Sequence, residues 1–312
     1  MKKKFILVFG YTALHSLLLQ DIKKGFERSN YECISFYRRP NENRFVYRLR
    51  QIIFFFWYRF KLLVGSDISI LLPHPEHLLA NYFFYSSRVE KIYIYEDGLM
   101  NYLHVELPEV LIKQARKKSI LASFFLYKYK IIKGYLSGCE QRKITGTFVR
   151  LPEMMYLPEK HGAISKIDSA IVAVGSPNPN IALFVDQDIE AIYSKEEAAR
   201  LRAKIYKGMS SFDKVYVKPH HNYWSEGKRF IGLPDNFELL SDELQSLTAE
   251  EVAVTLKVGS VWGFYSSALI NAATMLNNVK CYSCASESHW VNTVEGDILM
   301  SDLLAKFGVK AL

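Results

Sequence analysis

Residues 214–224 read KVYVKPHHNYW. From Lys214 to Lys218 polar and apolar side chains alternate, the period of a strand with one face toward a core, and Pro219 then closes the run. Proline fixes its own φ and holds Lys218 extended, so His220 is presented at a defined strand end. A cation at 218 followed by imidazoles at 220 and 221 suits an anionic ligand such as a phosphate. A basic loop that merely contains two histidines fits these letters equally well.

Working outward, the second half of the chain repeats the strand-then-helix rhythm. SAIVAVG (169–175) is a continuous apolar run closing on glycine, and IALFVDQ follows it as a further strand. SKEEAARLRAKIYKGM reads as a helix, with Ser194 and Glu197 at capping-box spacing. After KVYVKPHH come NFELLSD, a helix in TAEEVAVTLKVG, a strand and turn in SVWGFYSS, a helix in ALINAATML and a last strand in VKCYSCA. The first half behaves alike: FILVFG, YECISFYR, Ile68–Leu72 and VEKIYIYEDG are strand candidates separated by helical stretches. Strands interleaved with helices predict an α/β fold with mainly parallel sheets. A chain of 312 residues exceeds one hydrophobic core. Leu151–Lys166, with Pro152, Pro158 and Gly162, reads as a linker between a domain at 1–160 and another at 161–312.

A net charge of +8 favours anionic partners without naming one. Nucleic-acid binding has charge behind it and no recognised module. The opening MKKKFILVFGYTALHSLLLQ mimics a signal peptide, yet His15 and the lack of a small-x-small site argue for a buried first strand and an amphipathic helix. No apolar run reaches the length of a membrane span. Cys281 and Cys284 form an isolated CxxC whose only nearby metal partner is His289, so reduced structural cysteines are expected, and no metal site. Two aromatic and basic stretches, 44–65 and 119–136, allow burial with snorkelling cations or contact with an anionic membrane; burial is the commoner outcome of such apolar density.

Three constellations carry candidate chemistry. Glu96-Asp97-Gly98 ends the strand KIYIY, where burial can tune a carboxyl toward general-base work and glycine permits a sharp turn. Lys218-Pro219-His220 is the second. Ser266-Ser267, between a strand and a helix, would offer hydroxyls and N–H groups to an anion, or serve as an ordinary N-cap. In this order, EDG (96–98), KPHH (218–221) and YSSAL (265–269) resemble the D/E-D/E-G, HP and S/S-T motifs of bacterial sialyltransferases. These include the lipooligosaccharide enzymes of glycosyltransferase family 52 and the polysialyltransferases. LFVDQD (183–188) is also similar to the corresponding segment of that group. One position departs: the family places proline after the histidine, where this chain has His221.

The resemblance implies a GT-B-like fold, two Rossmann-type domains facing a central cleft. It implies an inverting, metal-independent sialyltransferase with no cofactor, using CMP-sialic acid. The expected acceptor is a bacterial surface glycan, lipooligosaccharide or capsule, at the cytoplasmic side, with peripheral contact with the inner membrane as the second reading of the aromatic and basic stretches. Glu96 or Asp97 would be the base and His220 the group that meets the departing CMP phosphate, while Gly98, Lys218, Pro219, Ser266 and Ser267 would bind the donor. Tyr223 and Trp224 could stack on base or sugar. The competing expectations are a transferase for CMP-Kdo or a UDP-sugar, and a non-catalytic glycan- or membrane-binding relative.

Overall fold

The structure, a computed structural model, describes residues 4–10, 19–36, 43–96, 98–104, 109–168, 172–220 and 233–312. It divides into two compact units, Met1–Ser169 with Asn292–Glu295, and Ala170–Val291 with Gly296–Leu312. Each is a Rossmann-type α/β unit around one all-parallel sheet, as the interleaved pattern predicts.

In the first unit, β1 (Lys4–Phe9), β2 (Tyr31–Phe36), β3 (Ile68–Leu72), β4 (Ile92–Tyr95), β5 (Gly146–Val149) and β6 (Ala163–Lys166) lie in the order β2-β1-β3-β4-β5-β6. All neighbours are parallel, with Leu7 opposite both Ile34 and Ile70. β1 is apolar and buried from Phe5 to Phe9 because both faces are covered. Phe5, Leu7 and Phe9 join one core cluster and Ile6 and Val8 the other. Helices α1 (Gln20–Arg28), α2 (Arg44–Leu63), α3 (Leu78–Tyr85) and α4 (Glu109–Phe124) supply the crossovers.

The stretch expected as a linker is more ordered than its prolines suggest. Pro152 and Pro158 each start a short 3-10 turn, and β6 follows, pairing Ala163 with Gly146. Helix α2 also departs from expectation. Gln51, Phe55, Tyr58 and Leu62, spaced four, three and four apart, are its buried stripe. Most of its other apolar side chains face solvent, so the burial expected for 44–65 holds for one face only.

The second unit runs through β7 (Asn178–Val185), α5 (Lys195–Gly208), β8 (Lys214–Lys218), β9 (Phe237–Leu239), α6 (Asp242–Gln245), α7 (Ala249–Thr255), β10 (Val258–Gly263), α8 (Ser267–Met275) and β11 (Lys280–Ser283). VKCYSCA is not the last strand: a two-stranded pair, β12 (Trp290–Thr293) and β13 (Gly296–Leu299), then α9 (Met300–Ala305) and β14 (Lys310–Ala311) come after it. The parallel sheet has the order β14-β11-β10-β7-β8-β9. Of the run 169–175, three residues lie outside the described ones, and Val172 makes an isolated bridge to Leu276.

Ser194 caps α5 through Glu197 N–H at 3.2 Å, but the Glu197 carboxylate turns to Arg200 and Ser286 instead of closing a capping box. The complete box forms at Thr248 and Glu251 on α7. No described helix is long and apolar enough to cross a membrane.

Candidate active site

In the second sheet the chain passes from β7 to β8 and β9 on one side, then returns to β10, β11 and β14 on the other. β7 and β10 therefore flank a topological switch point, where open parallel sheets form a crevice beyond their strand ends. Three segments meet there: Asp186-Gln187 after β7, Pro219-His220 after β8, and Phe264-Tyr265-Ser266 after β10. They are tied to one another. The Asp186 N–H donates to the Lys218 carbonyl at 2.9 Å, and the Tyr265 N–H donates to Gln187 Oε1 at 3.1 Å. Pro219 is buried and His220 half-buried, so the imidazole has a fixed base and an accessible face.

Ser266 is the N-cap of α8, its Oγ accepting from the Ala268 N–H at 3.1 Å, and Ser267 is the first helical residue. The ordinary N-cap and the anion site are compatible, since a capped helix start still directs its dipole and N–H groups outward. Lys218 is committed differently from a free phosphate ligand: its Nζ donates to the Gln245 carbonyl at 2.7 Å, and burial lowers its pKa. Beneath α8, Glu250 is buried, hydrogen-bonded with Asn271 and Thr248, and burial raises its carboxyl.

Two groups have contacts that the sequence reading did not assign. Gln187 lies in LFVDQD, and only its contact with Tyr265 shows why an amide stands there. His289 packs its ring edge-on to Tyr265 at 5.2 Å and bonds the Tyr193 hydroxyl through Nδ1. Burial lowers the His289 pKa and pushes Tyr193 up to about 12, favouring the neutral pair. Cys281 and Cys284 are both buried; burial pushes Cys281 up to about 12, and the Cys284 thiol contacts the Leu201 carbonyl. Thiols held that way stay protonated and unreactive.

In the first unit β4 ends at Tyr95, and Glu96 turns inward. Glu96 is 1% exposed. Its Oε2 accepts from the Arg150 N–H at 2.7 Å and from the Tyr102 hydroxyl, and its Oε1 pairs with the Arg150 guanidinium. Arg150 immediately follows β5, so the carboxylate bridges the ends of two adjacent strands. Burial and then the Glu96 charge push the Tyr102 phenol far above its usual range, leaving it a permanent donor. Gly98 has φ +72°, a turn that only glycine makes without strain. Asp97 lies outside the described residues, as do His221, Tyr223 and Trp224.

Beside the Gly98 turn is a cleft lined by Pro73, Asn101, Tyr135, Tyr156 and His161 among others. At its edge His104 stacks on Tyr156 with ring centres 4.9 Å apart and planes 12° from parallel, and Tyr135 lies 5.4 Å from Tyr156.

Residues 61–285 match the family described as alpha-2,8-polysialyltransferase (POLYST). The chain belongs to that family. Membership identifies it as a glycosyltransferase of sialyltransferase-like type, and the matched region spans EDG (96–98), KPHH (218–221) and YSSAL (265–269). No curated protein matches the chain. Among solved structures, S. aureus MnaA with UDP is 13% identical, covering 90% of this chain and 78% of that one with a TM-score of 0.45. Acinetobacter baumannii MurG is 9% identical, covering 99% of this polysialyltransferase-family chain and 85% of its own, with a TM-score of 0.41.

Proposed function

We propose that the chain is an inverting, metal-independent sialyltransferase moving sialic acid from CMP-sialic acid to a hydroxyl of a bacterial surface glycan, lipooligosaccharide or capsule, on the cytoplasmic side. The single observation supporting this most is the second unit's switch point, where His220, Ser266 and the start of α8 share one sheet edge in a member of the polysialyltransferase family.

Glu96 is spoken for: both of its oxygens already accept from Arg150 or Tyr102. A general base needs an oxygen that an incoming hydroxyl can reach. Asp97 is therefore the base in this proposal, and Glu96 is a positioning residue that fixes the turn carrying it. The Asp97 carboxylate removes the acceptor hydroxyl proton as that oxygen bonds to the anomeric carbon of sialic acid. The bond from that carbon to the CMP phosphate oxygen breaks with inversion, and CMP leaves with the electron pair. His220 and the N-terminus of α8, with Ser266 and Ser267, meet the charge that develops on the phosphate. Lys218 adds its charge from behind, and Pro219 holds the loop. The His104–Tyr156–Tyr135 shelf suits the apolar face of an acceptor sugar.

A mass-spectrometric transfer assay with CMP-sialic acid, CMP-Kdo and UDP-sugars, against labelled galactosides and sialosides, tests this directly. Transfer from CMP-sialic acid alone is expected. Turnover of only a UDP donor would overturn it, and no turnover of any donor would favour a binding protein.

A further inference from the structure

Helix α2 carries a second apolar stripe opposite its buried one. Phe45, Leu49, Ile53, Trp57, Phe60 and Leu63 are each about half exposed or more, Phe45 reaching 73%. Their spacing of three and four residues places them along one outer face. The end of α4 adjoins this face, because Arg59 donates to the carbonyls of Phe125 and Leu126 at 2.6 and 2.9 Å, and Phe56 stacks on Phe125. Ile120, Phe124 and Leu126, all at least 67% exposed, extend the apolar surface there. Isolated exposed apolar residues are ordinary, but a contiguous run of this kind marks a surface that meets something.

Charge identifies the partner. Residues 43–66 hold five Lys and Arg and no Asp or Glu, and residues 110–139 hold seven and none. Arg48, Lys117, Lys128, Lys130 and Lys133 are exposed. Others lie across aromatic rings at the margin, such as Lys61, 4.3 Å from the Phe5 ring and 5.3 Å from Trp57. A symmetric dimer through this face would set one-signed patches against each other, which disfavours a second copy. An apolar helix face with cations able to snorkel and tryptophan at the boundary matches a bilayer interface bearing anionic headgroups. We infer that the outer face of α2, with the end of α4 and Leu126, seats the protein on an anionic lipid bilayer. The helix lies in the headgroup plane and does not cross it. This inference is independent of the donor and the reaction.

Co-sedimentation of the full chain with vesicles of phosphatidylglycerol and phosphatidylethanolamine, compared with phosphatidylcholine, tests it. Binding to the anionic vesicles is expected, weakening with salt. Joint Trp57→Ser, Phe60→Ser and Phe124→Ser should reduce it about tenfold or more. Lys117→Glu with Lys128→Glu should reduce it by about fivefold per site on anionic vesicles alone. All five positions are exposed, so an unchanged unfolding temperature will show that both variants fold. Absence of binding by the unaltered protein, or undiminished binding by the folded triple variant, would overturn the inference. So would a lipid-free dimer by analytical ultracentrifugation that the triple variant converts to monomer, with no vesicle binding, since the face would then belong to a second copy.

Discussion

Arg150 holds Glu96 through two groups, its backbone N–H at 2.7 Å and its guanidinium, and both side chains are buried. The first acid of the EDG motif is thus part of the joint between β4 and β5. Replacing Glu96 with Gln removes the charge that faces a buried guanidinium, which costs about 3–5 kcal/mol and should lower the unfolding temperature by on the order of 10 °C. Asp97→Asn should leave that temperature unchanged and abolish transfer. Thermal unfolding alongside the transfer assay checks both, and a stable but inactive Glu96→Gln would return the base to Glu96.

His220 follows a buried proline at the second sheet's switch point. His220→Ala is expected to lower kcat by about 10²–10⁴-fold, whereas His221→Ala keeps most activity. Steady-state kinetics on the two variants separates them, and the reverse ranking would reassign the motif histidine.

Ser266 serves the fold and the proposed phosphate together. Ser266→Ala removes a cap worth about 1 kcal/mol and should also raise the KM for the donor. Ser266→Asp retains a capping oxygen but sets a negative charge against the phosphate. It should therefore recover the unfolding temperature while binding donor worse still. Equal donor KM in all three proteins would reduce Ser266 to a cap.

His161 is buried between Ser137 and Thr147, and burial lowers its pKa from 6.5 to about 4. Between those values the unfolded chain binds a proton that the folded chain refuses. The associated stability is full above pH 6.5 and is lost as pH falls through about 4, a loss on the order of 3 kcal/mol. His161→Gln should flatten the slope of unfolding free energy over that window. An identical slope in denaturant titrations at pH 7, 5.5 and 4.5 would refute the assignment.

The parallel sheets were legible because strands buried on both faces are written as unbroken apolar runs, as in FILVF and IALFV. The strand-end residues of the second site were legible for a related reason, since proline, glycine and serine punctuate those runs. β5 and β6 were not, for each is four residues long and sits among Thr, Gly and Pro without a sustained period. With β5 unread, the partner of Glu96 could not be found: Arg150 is 54 residues away and adjacent only through the β4–β5 pairing. Helix α2 shows a different limit. Its seven consecutive apolar residues specify apolar surroundings but do not distinguish a protein core from a solvent-facing stripe.

The order of the second sheet has an evolutionary corollary. Asp186-Gln187, Pro219-His220 and Phe264-Ser266 come from distant parts of the chain, and each begins only after its strand has ended. Phe264, Asp186 and Pro219 are buried, so edits confined to the more accessible Gln187, His220 and Ser266 leave the sheet beneath them untouched. If these segments hold the donor as proposed, leaving-group preference can drift, or be steered by a small combinatorial library, while the scaffold under it stays constant.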